Sequence, residues 1–236
     1  MQEEVTKHTE KIFRAMKNKE HSFWEKVKEV SIEIFIIVFA VTLSIWLHNW
    51  SDHRHEQNET DEFLTGLKSD LAKDIQVLED NKRTFVRVDS DFTYLYMLTE
   101  TKAIDTASDQ LIAHHLNYSL NATHANIGRY EGFKSSGKIG TIESDSLKQN
   151  ILVYYQQTIP GVDDREELVN SFQAKILDLE VGRTEKNSLA SIAKTFKMHA
   201  FLELATENLG AMIRTYDSAQ RDAKKIMEMI DEYPRR

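Results

Sequence analysis

The chain has 236 residues, 41% hydrophobic and 29% charged, enough to bury a core and too apolar to be disordered throughout. It contains 0 Cys, which excludes a disulfide framework, a zinc–thiolate site, an iron–sulfur cluster and a thiol nucleophile. A formal net charge of -8 argues against nucleic-acid binding, which needs a basic face, and only 2 Pro and 8 Gly favour long uninterrupted helices over a loop-rich β fold.

Residues 1–29 are patterned. Val5, Thr9, Ile12, Phe13, Met16, Phe23, Val27 and Val30 follow three-and-four spacing, with Lys7, Lys11, Arg14 and Lys17 between them. Two readings stand: a solvent-exposed extension of the next helix, or an amphipathic helix lying on an anionic lipid surface, which the interleaved Glu3, Glu4, Glu10 and Glu20 weaken. Val30 to Trp50 then carries no Lys or Arg and one acid, Glu33. Its centre, Ile34–Leu47, reads IFIIVFAVTLSIWL. Fourteen helical residues reach about 21 Å, short of the roughly 30 Å hydrocarbon layer, but residues 30–50 are long enough to span. Trp46 and Trp50 fall near one interface and Phe23–Trp24 near the other. The alternatives are a buried helix of a soluble protein and a cleaved signal peptide. Apolar residues on every face count against the first. The bulky Leu47-His48-Asn49-Trp50 after the run counts against the second. Lys17, Lys19, Lys26 and Lys28 precede the span within fifteen residues, and Arg54 alone follows it, so the expected topology is a cytoplasmic N-terminus with the bulk outside.

Beyond the span, Leu64, Leu71, Leu78, Phe85 and Phe92 recur at sevens, with Leu67, Val88 and Leu95 three later. Asp74 and Asn81 interrupt that second row. In a monomeric bundle they should turn to solvent; in an oligomer a polar residue there can fix register. Shorter helical patches are expected near 107–120, 145–158 and 164–195, the third starting after Pro160-Gly161 with Asp163 or Asp164 as N-cap. Five of the eight glycines lie between Gly128 and Gly161, which marks the one substantial irregular region. At the C-terminus Leu202, Leu209, Tyr216, Ala223 and Ile230 repeat at sevens, with Ala205, Met212, Ala219 and Ile226 three later. The fold class is all-α. The expected domains are a 1–29 leader, a 30–50 transmembrane helix and a 51–236 bundle built on two long helices.

Few constellations suggest chemistry. Gly132-Phe-Lys-Ser-Ser-Gly137-Lys138-Ile139 fits G-x-x-x-x-G-K and then lacks the Ser or Thr that would hold magnesium; a turn between helices, with Gly137 or Gly140 at positive φ, accounts for it. His48, His53 and His55, and His114, His115 and His124, miss the three-or-four spacing of ligands on one helix face. Glu33 lies within a turn of the cytoplasmic end, where it either snorkels to the headgroups or pairs with a neighbouring helix. No cofactor, metal or catalytic residue is assigned. Tyr130, Phe133 and Ile139 can dock their segment on the bundle, while Glu131, Lys134 and Lys138 can pair or meet a partner.

Several of these stretches resemble one family. Glu33 through Asn49-Trp50, Phe63-Leu-Thr-Gly-Leu-Lys-Ser-Asp70-Leu-Ala-Lys-Asp74, and Tyr130-Glu131-Gly-Phe-Lys134-Ser135-Ser136-Gly137-Lys138-Ile139 with Leu147 to Tyr155 look like the motifs of uncharacterised Bacteroidota membrane proteins. Phe39-Ala40 stands where that family often has Ile-Gly, which weakens a glycine-mediated helix contact. The resemblance covers about residues 25–160. It implies a bacterial inner-membrane location with the bulk in the periplasm, and it implies no activity. The candidate interaction residues are Glu33, Asn49, Trp50, Tyr130, Glu131, Lys134, Ser135, Ser136, Gly137 and Lys138. The leading functional expectation is a non-enzymatic, membrane-anchored scaffold. Its expected partners are the lipid bilayer, further copies of itself, or other inner-membrane or periplasmic proteins, and no nucleic acid. A periplasmic ligand sensor, a pore subunit built around Glu33 and an unrecognised enzyme are the competing classes.

Overall fold

The structure, a computed structural model, describes residues 2–116, 125–181 and 188–234; the side chains of residues 2–22, 25, 26 and 173 lie outside that description. Helix α1 is Gln2–Glu100, and the chain divides into two compact units, Met1–Glu56 and Gln57–Arg236.

The first unit is helical. Its most apolar eighteen-residue window has a mean hydropathy of 2.4 and none of it is buried. Every side chain from Val27 to Trp50 is exposed, so this is not the covered helix of a soluble core. The two hydroxyls within the run are satisfied by the helix itself. Thr42 Oγ1 donates to the Val38 carbonyl at 2.7 Å and Ser44 Oγ to the Ala40 carbonyl at 2.8 Å. A helix that pairs its own polar groups in this way is compatible with a membrane anchor. The proposed amphipathic face of the leader falls mostly on side chains outside the described residues.

The second unit is a helical bundle with no strand among its described residues. After α1 ends at Glu100 come the 3₁₀ turn Ala103–Thr106, α2 (Asp109–Leu116), α3 (Gly128–Ser135) and the 3₁₀ turn Lys138–Thr141. Then follow α4 (Asp145–Val153), the π-turn Tyr154–Thr158, α5 (Ile159–Val181), α6 (Leu189–Ala193) and α7 (Phe196–Asp231). Lys102, at φ 57, takes the left-handed conformation that stops α1. Ser144, Ser188 and Thr195 cap α4, α6 and α7 through their hydroxyls.

The sevens pattern is the core. Leu64, Leu71, Leu78, Phe85 and Phe92 of α1 are buried, as are all nine positions of the two C-terminal rows on α7. The two helices run antiparallel, because as the α1 number rises the α7 partner falls nearly in step. Lys68 pairs with Asp231, Glu79 with Gln220 at 3.1 Å, Lys82 with Asp217 at 2.6 Å, and Thr99 with His199 at 2.9 Å. One half of the core joins Leu78–Leu95 to α5 and the first part of α7; the other joins Phe63–Leu71 to α3, α4, the π-turn and Ala223–Tyr233.

Three expectations are corrected here. Asp74 and Asn81 do not turn to solvent; they are 3% and 6% exposed. Asp74 Oδ1 accepts the Asn126 backbone N–H at 3.0 Å, and Asn81 hydrogen-bonds to the Tyr216 hydroxyl. Polar groups can lie inside a bundle when the same chain supplies partners. Pro160-Gly161 does not start a helix either, since the helical path runs unbroken from Asp145 to Val181 and contains Asp163 and Asp164. The π-turn is the reason. The Ile159 N–H donates five residues back to Tyr154, and this wider turn absorbs the missing N–H and the ring of Pro160. The 164–195 patch is two helices, α5 and α6, and residues 182–187 lie outside the description. The 107–120 patch is present as α2, with 117–124 outside it.

Candidate interaction site

The Tyr130–Ile139 segment is more regular than its glycines suggest: α3, a turn at Gly137 with φ 76, then the 3₁₀ turn. Gly137 is therefore the residue that takes positive φ, where a side chain would be strained. With a helix where a phosphate loop would need an open cradle, the segment lacks the geometry for a nucleotide.

Four contacts fasten α3 and the 3₁₀ turn after it to α1. The Phe133 ring stacks on Phe63 with centroids 3.8 Å apart and 6° between planes. Arg129 Nε donates to Asp70 Oδ2 at 2.7 Å, and its guanidinium crosses α1 where Gly66 leaves room; a Cβ there would collide with it. Lys138 Nζ meets Glu59 Oε2 at 2.7 Å, and the hydroxyls of Thr60 and Thr141 are 2.6 Å apart. Tyr130 is fully buried, stacks on Tyr155 at 4.5 Å, and its hydroxyl accepts from Gln156 Nε2 at 2.8 Å.

The remaining motif residues serve the same segment. Lys134 Nζ lies 3.5 Å from Glu131 and 5.4 Å from the Tyr130 ring centre, and Ser136 Oγ donates to the Phe133 carbonyl at 2.7 Å. Ser135 is exposed. An open groove of about 400 Å³ lies along α3 and α1, lined by Glu59, Glu62, Phe63, Gly132, Phe133 and Lys138 among others. Of the candidate residues, Tyr130, Glu131, Lys134, Ser136, Gly137 and Lys138 are thus brought together with Ser135 on one segment. Glu33, Asn49 and Trp50 are exposed in the first unit, where the Arg54 guanidinium lies 4.8 Å from the Trp50 ring centre.

Sequence reasoning missed a buried polar layer behind this segment. Asp70 is 5% exposed and Asp74 3%. Asp74 Oδ2 and the hydroxyls of Tyr154 and Tyr155 have no hydrogen-bond partner among the described residues. Burial, then the neighbouring Asp70 charge, pushes the Asp74 carboxyl above the usual carboxylate range despite its backbone hydrogen bond. Burial first, and the Asp74 charge second, pushes both phenols well up, so they stay neutral at any physiological pH. Tyr216 moves the same way, through burial and its hydrogen bond to Glu166. The signal was visible in the two polar interruptions of the apolar row. Arg129 carried none, since its role depends on Gly66 more than sixty residues away. His115 Nδ1 lies 2.8 Å from Asp91, and no cluster of three or more His, Cys, Asp or Glu suited to a metal occurs among the described residues.

The Family of unknown function (DUF6090) matches residues 33–177, more than half of the chain. The chain belongs to that family. The match starts at Glu33, at the head of the apolar stretch, and takes in α3, the π-turn and most of α5. No curated protein and no solved structure matches the chain.

Proposed function

We propose that this chain is a single-span scaffold of a bacterial inner membrane, anchored by residues 30–50, with its N-terminus in the cytoplasm and its helical bundle in the periplasm. It works by binding other proteins, copies of itself included, and not by catalysis. The observation that carries this reading is the exposed, mostly apolar helical stretch Val27–Trp50 in a chain whose other described unit is a compact, self-packed bundle. Such a surface is stable only in lipid or against a partner. The excess of lysine before the span supports the orientation. The docking face on this reading is the open groove beside α3, which combines an aromatic floor, Phe63 on Phe133, with Glu59, Glu62 and Lys138 at its rim.

Size-exclusion chromatography with light scattering on the full chain in detergent tests the self-association part. A protein mass of two or more chains is expected. A mass equal to one 27.4 kDa chain at every concentration tried contradicts it.

A further inference from the structure

A second groove, of about 520 Å³, lies between α7 and the π-turn with the start of α5, away from the α3 segment. Helices α5 and α7 run antiparallel here. Thr158 Oγ1 donates to Asp222 Oδ2 at 3.2 Å at one end, and the Tyr216 hydroxyl donates to Glu166 further along. This register sets Arg165 across from Arg214 at the opposite end from Asp222. Both arginines line the groove, with Thr215 and Ser218 between Arg214 and Asp222 along α7. Gly161 leaves the floor open, because nothing lies within 4 Å of where its Cβ would be.

Two arginines on one groove suit an anion. In this unit Lys68, Lys82, Arg83, Arg129, Lys138 and Lys148 each meet a carboxylate, while others, Arg87 and Arg221 among them, have no ion pair among the described residues. Arg165 and Arg214 have no ion pair among the described residues, although residues 51–236 carry an excess of acids. Two arginines lining one groove can share an oxyanion, because the planar fork of a guanidinium matches its oxygens. Asp222 sets the size limit. Eight residues of helix place it about 12 Å from Arg214, so a compact anion fits while a long polyanion following the groove would meet a carboxylate.

We infer that the groove between the π-turn and α7 binds the oxyanion group, phosphate or carboxylate, of a small polar solute through Arg165 and Arg214. This site is independent of the anchoring and scaffold reading.

The test is thermal unfolding of the full chain in detergent, titrated with potassium phosphate or potassium succinate against potassium chloride at equal ionic strength. A saturable rise in Tm with phosphate, succinate or both, absent in chloride, is expected. Which of the two acts identifies the oxyanion. Arg165→Gln and Arg214→Gln should each weaken the apparent Kd by about tenfold or more, the loss of a charge-assisted hydrogen bond. Arg221→Gln, on the same helix outside the groove, should leave it unchanged. An equal shift in all three salts overturns the inference, as does no shift with either oxyanion. So does a shift that the two groove variants retain. Should either variant fold poorly by circular dichroism, Arg165→Lys and Arg214→Lys, which keep the charge and lose the fork, are expected to weaken binding by a smaller factor; unchanged binding in both overturns the inference as well.

Discussion

Two buried tyrosines on facing elements offer a test with opposite expected outcomes for the same chemical change. Tyr216, 0% exposed, donates its hydroxyl to the Glu166 carboxylate and receives a hydrogen bond from Asn81. Glu166 is itself 3% exposed, so Tyr216→Phe removes a donor from a carboxylate that water cannot easily reach. Hydrogen bonds to charged groups contribute about 1.5–3 kcal/mol. For a unit of this size each kcal/mol moves Tm by roughly 2–4 °C, so Tm should fall by about 3–12 °C. Tyr154 is equally buried at 1%, but its hydroxyl has no partner among the described residues. Tyr154→Phe removes an unsatisfied polar group and keeps the ring, so it should be nearly neutral or stabilising. Thermal melts of the two full-length variants, followed by circular dichroism at 222 nm, make the comparison. Equal losses, or a larger loss in Tyr154→Phe, would refute the hydrogen-bond accounting.

Asp74→Asn reports on the buried polar layer through pH. An acid whose native-state pKa lies above its unfolded value binds its proton more tightly when folded, so its contribution to stability falls as pH rises from the ordinary carboxylate range, about 3.9, through the raised native value. Asparagine keeps an oxygen for the Asn126 N–H and has no charge to bury. The variant should therefore flatten the decline in Tm over that window and be neutral to stabilising at pH 7; an unchanged profile counts against the assignment. The α3 segment separates packing from binding in the same way. Tyr130→Ala or Phe133→Ala should cost on the order of 3–5 kcal/mol of stability, read from Tm, whereas Lys134→Ala with Lys138→Ala should leave Tm within a few degrees and reduce partner capture. Loss of capture without loss of stability is the outcome that makes this segment a docking face.

The apolar sevens were legible because burial on a helix imposes its period on the sequence, and each residue of those rows from Leu64 to Phe92 and from Leu202 to Ile230 lies in the core. The apolar run was legible for the converse reason, being apolar on every face. Helix boundaries near Pro160 were not, because proline and glycine normally end a helix and a π-turn is set by hydrogen bonding that leaves no local pattern. Asp74 and Asn81 were noticed as exceptions, but their burial depends on Asn126 and Tyr216, partners that only the tertiary fold supplies. Within the candidate site, the anchoring aromatics Tyr130 and Phe133 could be read from their apolar character. The pairing of Gly66 with Arg129 could not, since a missing Cβ has meaning only against the side chain that crosses it.

The central claim is an anchor at residues 30–50 with the bundle on the far side of the membrane from the N-terminus. The natural absence of cysteine makes single-cysteine labelling direct. Ser22→Cys and Ser90→Cys, introduced separately into the full chain, would be exposed to a membrane-impermeant maleimide in intact spheroplasts and again after lysis. The account predicts that Ser90→Cys is labelled in both conditions and Ser22→Cys only after lysis. Labelling of Ser22→Cys in intact spheroplasts, or protection of Ser90→Cys until lysis, would contradict it.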